Sequence, residues 1–212
     1  MRGVHRNHWA MRFGTSAVFV TALLLMAEAA TGASSGVAVS EHQYGFSFTL
    51  PANLKQVPLN GSDVTNLLNT ATHDDPALAN ALDSEVTSAA AKGTKVFAIG
   101  PISGSSVPNV NVIVSSSAGV PTGRAFAQEA ATEAKIELAQ IKALHVKTSV
   151  VTNRLGATAE ATYEIDVKGS SPQFGEQFYV QHKAYVDILT VTTPSSTATR
   201  SNAQRIVASW HW

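Results

Sequence analysis

The sequence predicts an α+β fold, a mainly antiparallel sheet of about six to seven strands flanked by helices. Three observations carry that prediction. Residues 158–193 hold consecutive period-two stretches joined by short turns: Thr158–Lys168, Phe174–His182 and Ala184–Thr193. A long alanine-rich helical stretch, Gly123–Ala143, precedes them, and a shorter one runs to Trp210. Strands joined by tight turns pair antiparallel, and helices of period 3.6 bury one stripe against such a sheet.

The N-terminus stands apart from this pattern. Arg2, Arg6 and Arg12 are basic, Phe13 to Ala27 is uncharged and rich in Ala, Val and Leu, and small residues follow. That is the layout of a secretory signal peptide, with Thr31-Gly32-Ala33 as cleavage site and Ala27-Glu28-Ala29 as the alternative. The apolar run is about fifteen residues, short of the roughly 20 that cross a bilayer comfortably. An uncleaved N-terminal anchor is the rival reading. Zero cysteines exclude disulfides and lipid attachment at a cleavage-site cysteine. Cutting after Ala33 leaves 179 of 212 residues, one ordinary domain with room for its own core. The 12 basic and 14 acidic residues then remaining give a charge near −2. So weak a charge argues against nucleic acid and against strong docking on anionic lipid. The expected division is a signal peptide at 1–33, a flexible lead-in at 34–43 and a single α+β domain at 44–212. The exported form is expected to lack an integral membrane span.

Within the domain, Phe46, Phe48 and Leu50 share one face of a strand that Pro51 ends. Leu54–Leu59 is a short extended piece. Ser62 and Asp63 start a helix with Val64, Leu67, Leu68 and Ala71 on its stripe. Asp75 caps a second, with Pro76 at its first position and Gly93 just past its end. Lys95–Gly100 and Asn109–Val114 form a hairpin over a Ser- and Gly-rich loop. In the long helix, Phe126, Ala130, Ala134, Leu138 and Ile141 make the apolar stripe, and its alanines suit close packing over the opening strands. His145–Val151 resumes extended structure. In Thr158–Lys168 the apolar Ala159, Ala161, Tyr163, Ile165 and Val167 alternate with Glu160, Thr162, Glu164, Asp166 and Lys168, so one side is buried and one wet. Ala184–Thr193 is apolar on both faces, the mark of a central strand. Pro194–Thr197 opens the last helix, with Ala203, Ile206, Val207 and Trp210 inward.

This layout resembles the Mog1/PsbP-like α/β/α sandwich families, in particular their small secreted actinobacterial members. The residues that carry the likeness are Phe46-Ser-Phe-Thr-Leu-Pro51 with Leu54-Lys-Gln-Val57 after it, Tyr163 and Tyr179 in long strands, Ala184–Thr192, and the closing Ile206-Val-Ala-Ser-Trp210. It spans Tyr44 to Trp210. The sequence departs at Asn53, where many relatives carry a Gly-Trp pair after the proline, and in longer helices between Asn60 and Gly93. The resemblance implies a non-enzymatic fold used for binding and assembly, with no shared cofactor and no catalytic motif.

His73-Asp74-Asp75 sets an imidazole beside two carboxylates, but a metal would need ligands from elsewhere, and a capping Asp between two helices explains the triplet. His42, His145, His182 and His211 show no H-x-x-x-H or similar ligand spacing. Ser103–Ser106 and Ser115–Ser117 lie in loops, and no G-x-S-x-G nucleophile motif occurs. Glu160, Glu164 and Asp166 could seat paired carboxylates, yet their alternation is that of a solvated strand face. Asn60-Gly-Ser62 matches a glycosylation sequon. Trp210 and Trp212 form the candidate contact surface, with Trp210 also on the helix stripe and Trp212 freer.

The reading this supports is a secreted or cell-envelope-associated, non-catalytic binding or accessory protein, with no cofactor, whose partner is a protein or an apolar small molecule. The alternative is a carrier of an apolar ligand or lipid, in a pocket between the sheet and the 60–93 helices. A hydrolase with an unfamiliar site ranks third.

Overall fold

The computed structural model describes residues 36–57, 59, 87, 89, 91–101, 108–166 and 171–212. The expected signal peptide, the sequon, His73–Asp75 and nearly all of the two expected 60–93 helices lie outside these residues. So does the pocket beneath those helices. At the end of that segment Gly93 adopts φ 81°, as a helix stop there requires.

Nine strands and two helices are described: β1 (Val37–Glu41), β2 (Phe46–Leu50), β3 (Lys55–Gln56), β4 (Thr94–Ile99), β5 (Asn109–Ser116), α1 (Gly123–Gln140), β6 (Leu144–Asn153), β7 (Gly156–Ile165), β8 (Gln173–His182), β9 (Tyr185–Thr193) and α2 (Ser196–Ser209). Seven strands make one sheet in the order β3-β4-β5-β9-β8-β7-β6, with every neighbouring pair antiparallel. The α+β class and an antiparallel sheet of seven strands are as the sequence predicts, while β2 pairs with β1 in a separate two-stranded sheet. β9 lies at the centre of the sheet. Its Val186 and Ile188 face one core, and Leu189 and Val191 face the other. Lys183-Ala184 joins β8 to β9 as a two-residue turn, with Lys183 at φ 49°.

Two expectations are corrected. Residues 34–43 are not simply a flexible lead-in. Val37–Glu41 forms β1 and pairs along its length with β2, from Val37↔Leu50 to Glu41↔Phe46. The reason lies in Val39, which is 2% exposed and anchors the strand in the core. The long helix α1 does not cover the opening strands. It packs on β6, β7 and β8. The connection from its end to β6 is only three residues, which holds it beside that strand. The fit is made by small side chains: Ala127, Ala130 and Ala134 of α1 share a core with Ala159 and Ala161 of β7, all fully buried. Alanine against alanine lets a helix approach a sheet closely, at the density of a protein interior.

The other face carries the β1–β2 hairpin and α2. Its core joins Phe46, Phe48 and Leu50 to Val110, Val112, Leu189, Val191, Ile206 and Trp210. Gly175 in β8 serves the α1 face by having no side chain, since a Cβ there would stand 2.0 Å from Cζ of Tyr163.

Candidate functional site

α2 is pinned at both ends, which makes it a fixed wall. At its start the Thr199 hydroxyl lies 2.8 Å from that of Thr193 and donates to the Phe174 carbonyl at 3.0 Å. At its end Ser209 Oγ accepts from the Thr49 amide at 3.0 Å. The C-terminal tail then pairs with β2 through reciprocal Ser47 and His211 backbone bonds of 2.9 and 2.8 Å. Arg154, in the β6–β7 turn, donates to the Ala208 carbonyl and sits 3.3 Å from His211 Nδ1.

Between this wall and the outward face of β6–β8 lie two adjoining hollows, of about 580 and 380 Å³. Both are lined by Glu176, Arg200 and Gln204. The strand register explains the lining. Glu176 of β8 stands opposite Thr162 of β7, with Glu160 opposite Phe178 and Glu164 opposite Phe174. Period two therefore puts three carboxylates and two phenylalanines on the side facing α2.

Glu176 dominates the electrostatics. It is 3% exposed and makes no hydrogen bond. Burial raises its carboxyl to about 7, and the Glu160 charge pushes the same way, while Arg200 opposes them. Arg200 approaches no carboxylate to ion-pair distance. Glu164 meets His145 at 4.0 Å on the exposed rim, a weak contact. The cleft is thus walled on one side by carboxylates and on the other by an uncommitted guanidinium. Among the described residues no three His, Asp or Glu side chains converge as a metal site. No described helix is long and apolar enough to cross a membrane.

The structure separates the residues singled out from sequence. Glu160 and Glu164 line the hollows, whereas Asp166 is exposed at the end of β7 and lines neither. Trp210 cannot belong to a contact surface. It is 2% exposed, its ring 4.9 Å from that of Phe46 and 4.8 Å from that of Phe48. Trp212 is 41% exposed and stacks flat on His182, with ring centres 3.9 Å apart. Sequence reasoning missed Glu176. The signal was there: a carboxylate in register with Phe174, Phe178 and Val180, whose face is otherwise apolar.

Two further buried acids lie elsewhere. Asp187 of β9 is 1% exposed, between Val114 and Val180, and neither carboxylate oxygen has a partner. Burial raises it to about 7. Glu137 of α1 is raised to about 7 by burial and by Glu133. The single Tyr179 hydroxyl lies 3.4 Å from Glu137 and 3.1 Å from Gln177 Oε1, tying helix to sheet.

No family model matches the chain, and no curated protein matches it. Among solved structures, the solution structure of cyanobacterial PsbP (CyanoP) from Synechocystis sp. PCC 6803 aligns with a TM-score of 0.52 at 14% identity, over 88% of this chain and 98% of that one. A crystal structure from Bacteroides thetaiotaomicron VPI-5482 aligns with a TM-score of 0.47 at 10% identity, over 84% of this chain and 48% of that one. The chain therefore has a PsbP-like fold, as its sequence pattern suggests. At such identity the likeness concerns the fold alone.

Proposed function

We infer that the protein acts outside the cytoplasm as a non-catalytic binding or accessory protein, and that it binds in the cleft between α2 and β6–β8. The observation that carries this reading is Glu176, a buried carboxylate without a hydrogen bond on the wall of two sizeable hollows. Among the described residues no protein donor reaches its oxygens, yet they are not sealed in the core, so an incoming N–H donor can approach them from the hollow. Binding is favoured over catalysis because no nucleophile–base hydrogen bond lines the cleft among the described residues. Export rests on the basic, apolar and small-residue order of residues 1–33.

The test is affinity capture from the native envelope, with the wild-type protein and an E176Q/R200Q variant as baits, and with mass spectrometry of co-purifying small molecules. The expected result is a ligand or partner retained by the wild type and lost by the variant, with the circular dichroism spectra alike. Capture untouched by the pair of substitutions would remove the cleft from this reading. Lipid co-purifying equally with both baits would favour the apolar-carrier alternative.

A further inference from the structure

The cleft divides its charge by wall. The sheet wall supplies Glu160 and Glu164 of β7 and Glu176 of β8. The helix wall holds no Asp or Glu at any position from Ser196 to Ser209. It supplies Arg200 and the first turn of α2. There the Thr199 amide is taken by the Ser195 carbonyl and the Ala198 amide by Ser195 Oγ. The amides of Ser196 and Thr197 have no acceptor within the helix, and both residues line the larger hollow. A helix start of this kind carries partial positive charge and favours an anion. Across from it Glu176, 97% buried by its 3% exposure, lacks a donor.

We propose that this cleft, on the reading given above, holds a small zwitterion with a primary ammonium and an anionic group a few bonds apart, of the free amino acid type. The ammonium lies against Glu176, and the anionic group against Arg200 and the start of α2, all of which line the larger hollow. A cation alone would leave the helix wall unused. An anion alone would face three carboxylates. A quaternary ammonium would bring Glu176 no N–H donor. Phe174 and Phe178 line the hollows and give an aliphatic side chain an apolar surface. The other cations are less well placed. Arg154 is held by Ala208 and His211, and His145 stands by Glu164 on the rim, with Lys147 beside it.

The test is calorimetric titration of the purified protein with four probes: L-leucine, isoamylamine, 4-methylpentanoate and O-phosphoethanolamine. L-leucine is expected to bind, and the amine and the acid, each lacking one charge, at least tenfold more weakly. E176Q is expected to weaken leucine and the amine tenfold or more while sparing the acid. R200Q is expected to weaken leucine and the acid while sparing the amine. Tighter binding of O-phosphoethanolamine than of leucine supports the zwitterion and points to a headgroup source. Equal binding of leucine and the amine, with R200Q silent, overturns the zwitterion and leaves a cation-binding cleft. Silence from all four probes also overturns it. The binding reading itself then stands if E176Q/R200Q still loses its captured partner, and falls with the zwitterion if capture is unchanged.

Discussion

The two faces of the seven-stranded sheet are covered by different means. On one, α1 lies flush against β6–β8 because both surfaces are studded with alanine, and the core there is continuous out to Ile165. On the other, α2 packs on β2, β8 and β9 and is held by hydrogen bonds at its two ends. That face is closed by large aromatics under the hairpin and left open beside β7, where Glu160, Thr162 and Glu164 are only half-buried. Small side chains thus make the sealed face, and anchoring makes the face with a cleft. A wall fixed by its ends need not fill the space beneath it.

The largest expected effect is at the sealed end of the α2 face. Trp210→Ala removes a buried indole stacked on both Phe46 and Phe48. Large-to-small changes of this kind cost roughly 3–5 kcal/mol, and the hairpin should loosen with them. Urea unfolding measures the loss, and hydrogen exchange at the β1–β2 amides localises it. A loss under about 1 kcal/mol would show that the hairpin is not held by this stack.

Next in size is the pH response of Asp187, on the same face. Its carboxyl titrates at 3.8 when unfolded and near 7 when folded. Below 3.8 both states keep the proton. From there to about 7 only the unfolded state gives it up, so stability falls as pH rises through that window and stays low above it. Between pH 5 and pH 8 this one group is expected to lower stability by on the order of 2–3 kcal/mol. In Asp187→Asn that part of the slope disappears, while the part from Glu137 and Glu176, raised in the same direction, remains. Urea unfolding of both proteins at the two pH values gives the difference. Parallel pH profiles would mean that Asp187 finds a partner on folding.

A smaller effect is expected on the α1 face. Ala130→Leu forces extra carbon into a surface where Ala130, Ala134, Ala159 and Ala161 are each fully buried. Overpacking of this sort costs roughly 1–3 kcal/mol. If instead the variant is as stable as the wild type, α1 stands further from the sheet than its alanines suggest.

How much of this was legible follows from what period two can and cannot say. Alternation placed Ala159, Ala161 and Tyr163 inside and Glu160 and Glu164 outside, and the two-sided apolar pattern of Ala184–Thr193 marked the central strand. Alternation does not say which face a helix will choose, so α1 was expected over the opening strands. Nor does it flag an acid buried on an apolar face. Asp187 lies between Tyr185 and Leu189, and Glu176 between Phe174 and Phe178. The strong apolar pattern of their neighbours hides each of them in the sequence. β1 leaves little trace in the sequence because a single inward Val39 is too faint a signal, while its pairing to β2 comes from backbone bonds that any side chain permits. The cleft required knowing where α2 is pinned. Thr193, Thr199 and Ser209 do that through hydroxyl contacts distant in sequence, which no local spacing reveals.

The smallest effect separates the two terminal indoles. Trp212 lies on His182 with nearly parallel rings and keeps 41% of its surface exposed. Burial and the neighbouring Lys183 lower the His182 pKa, so the stacked ring is held in its neutral form further down in pH. Trp212→Ala removes the stack on His182 and an edge contact with Trp210, 5.7 Å between ring centres, and leaves the Trp210 stack on Phe46 and Phe48 in place. It should cost about 0.5–1.5 kcal/mol, the worth of an aromatic contact at the rim and well below Trp210→Ala. It should also let water reach His182 and move its titration back up toward 6.5, which nuclear magnetic resonance of the imidazole reads directly. Neither binding in the cleft nor the packing of the hairpin should follow this change, because the contacts that build those two regions run through Trp210, Ser209 and Arg154. A loss of several kcal/mol in Trp212→Ala would instead make the tail a structural strap, and the sealed end of the α2 face would extend to the last residue.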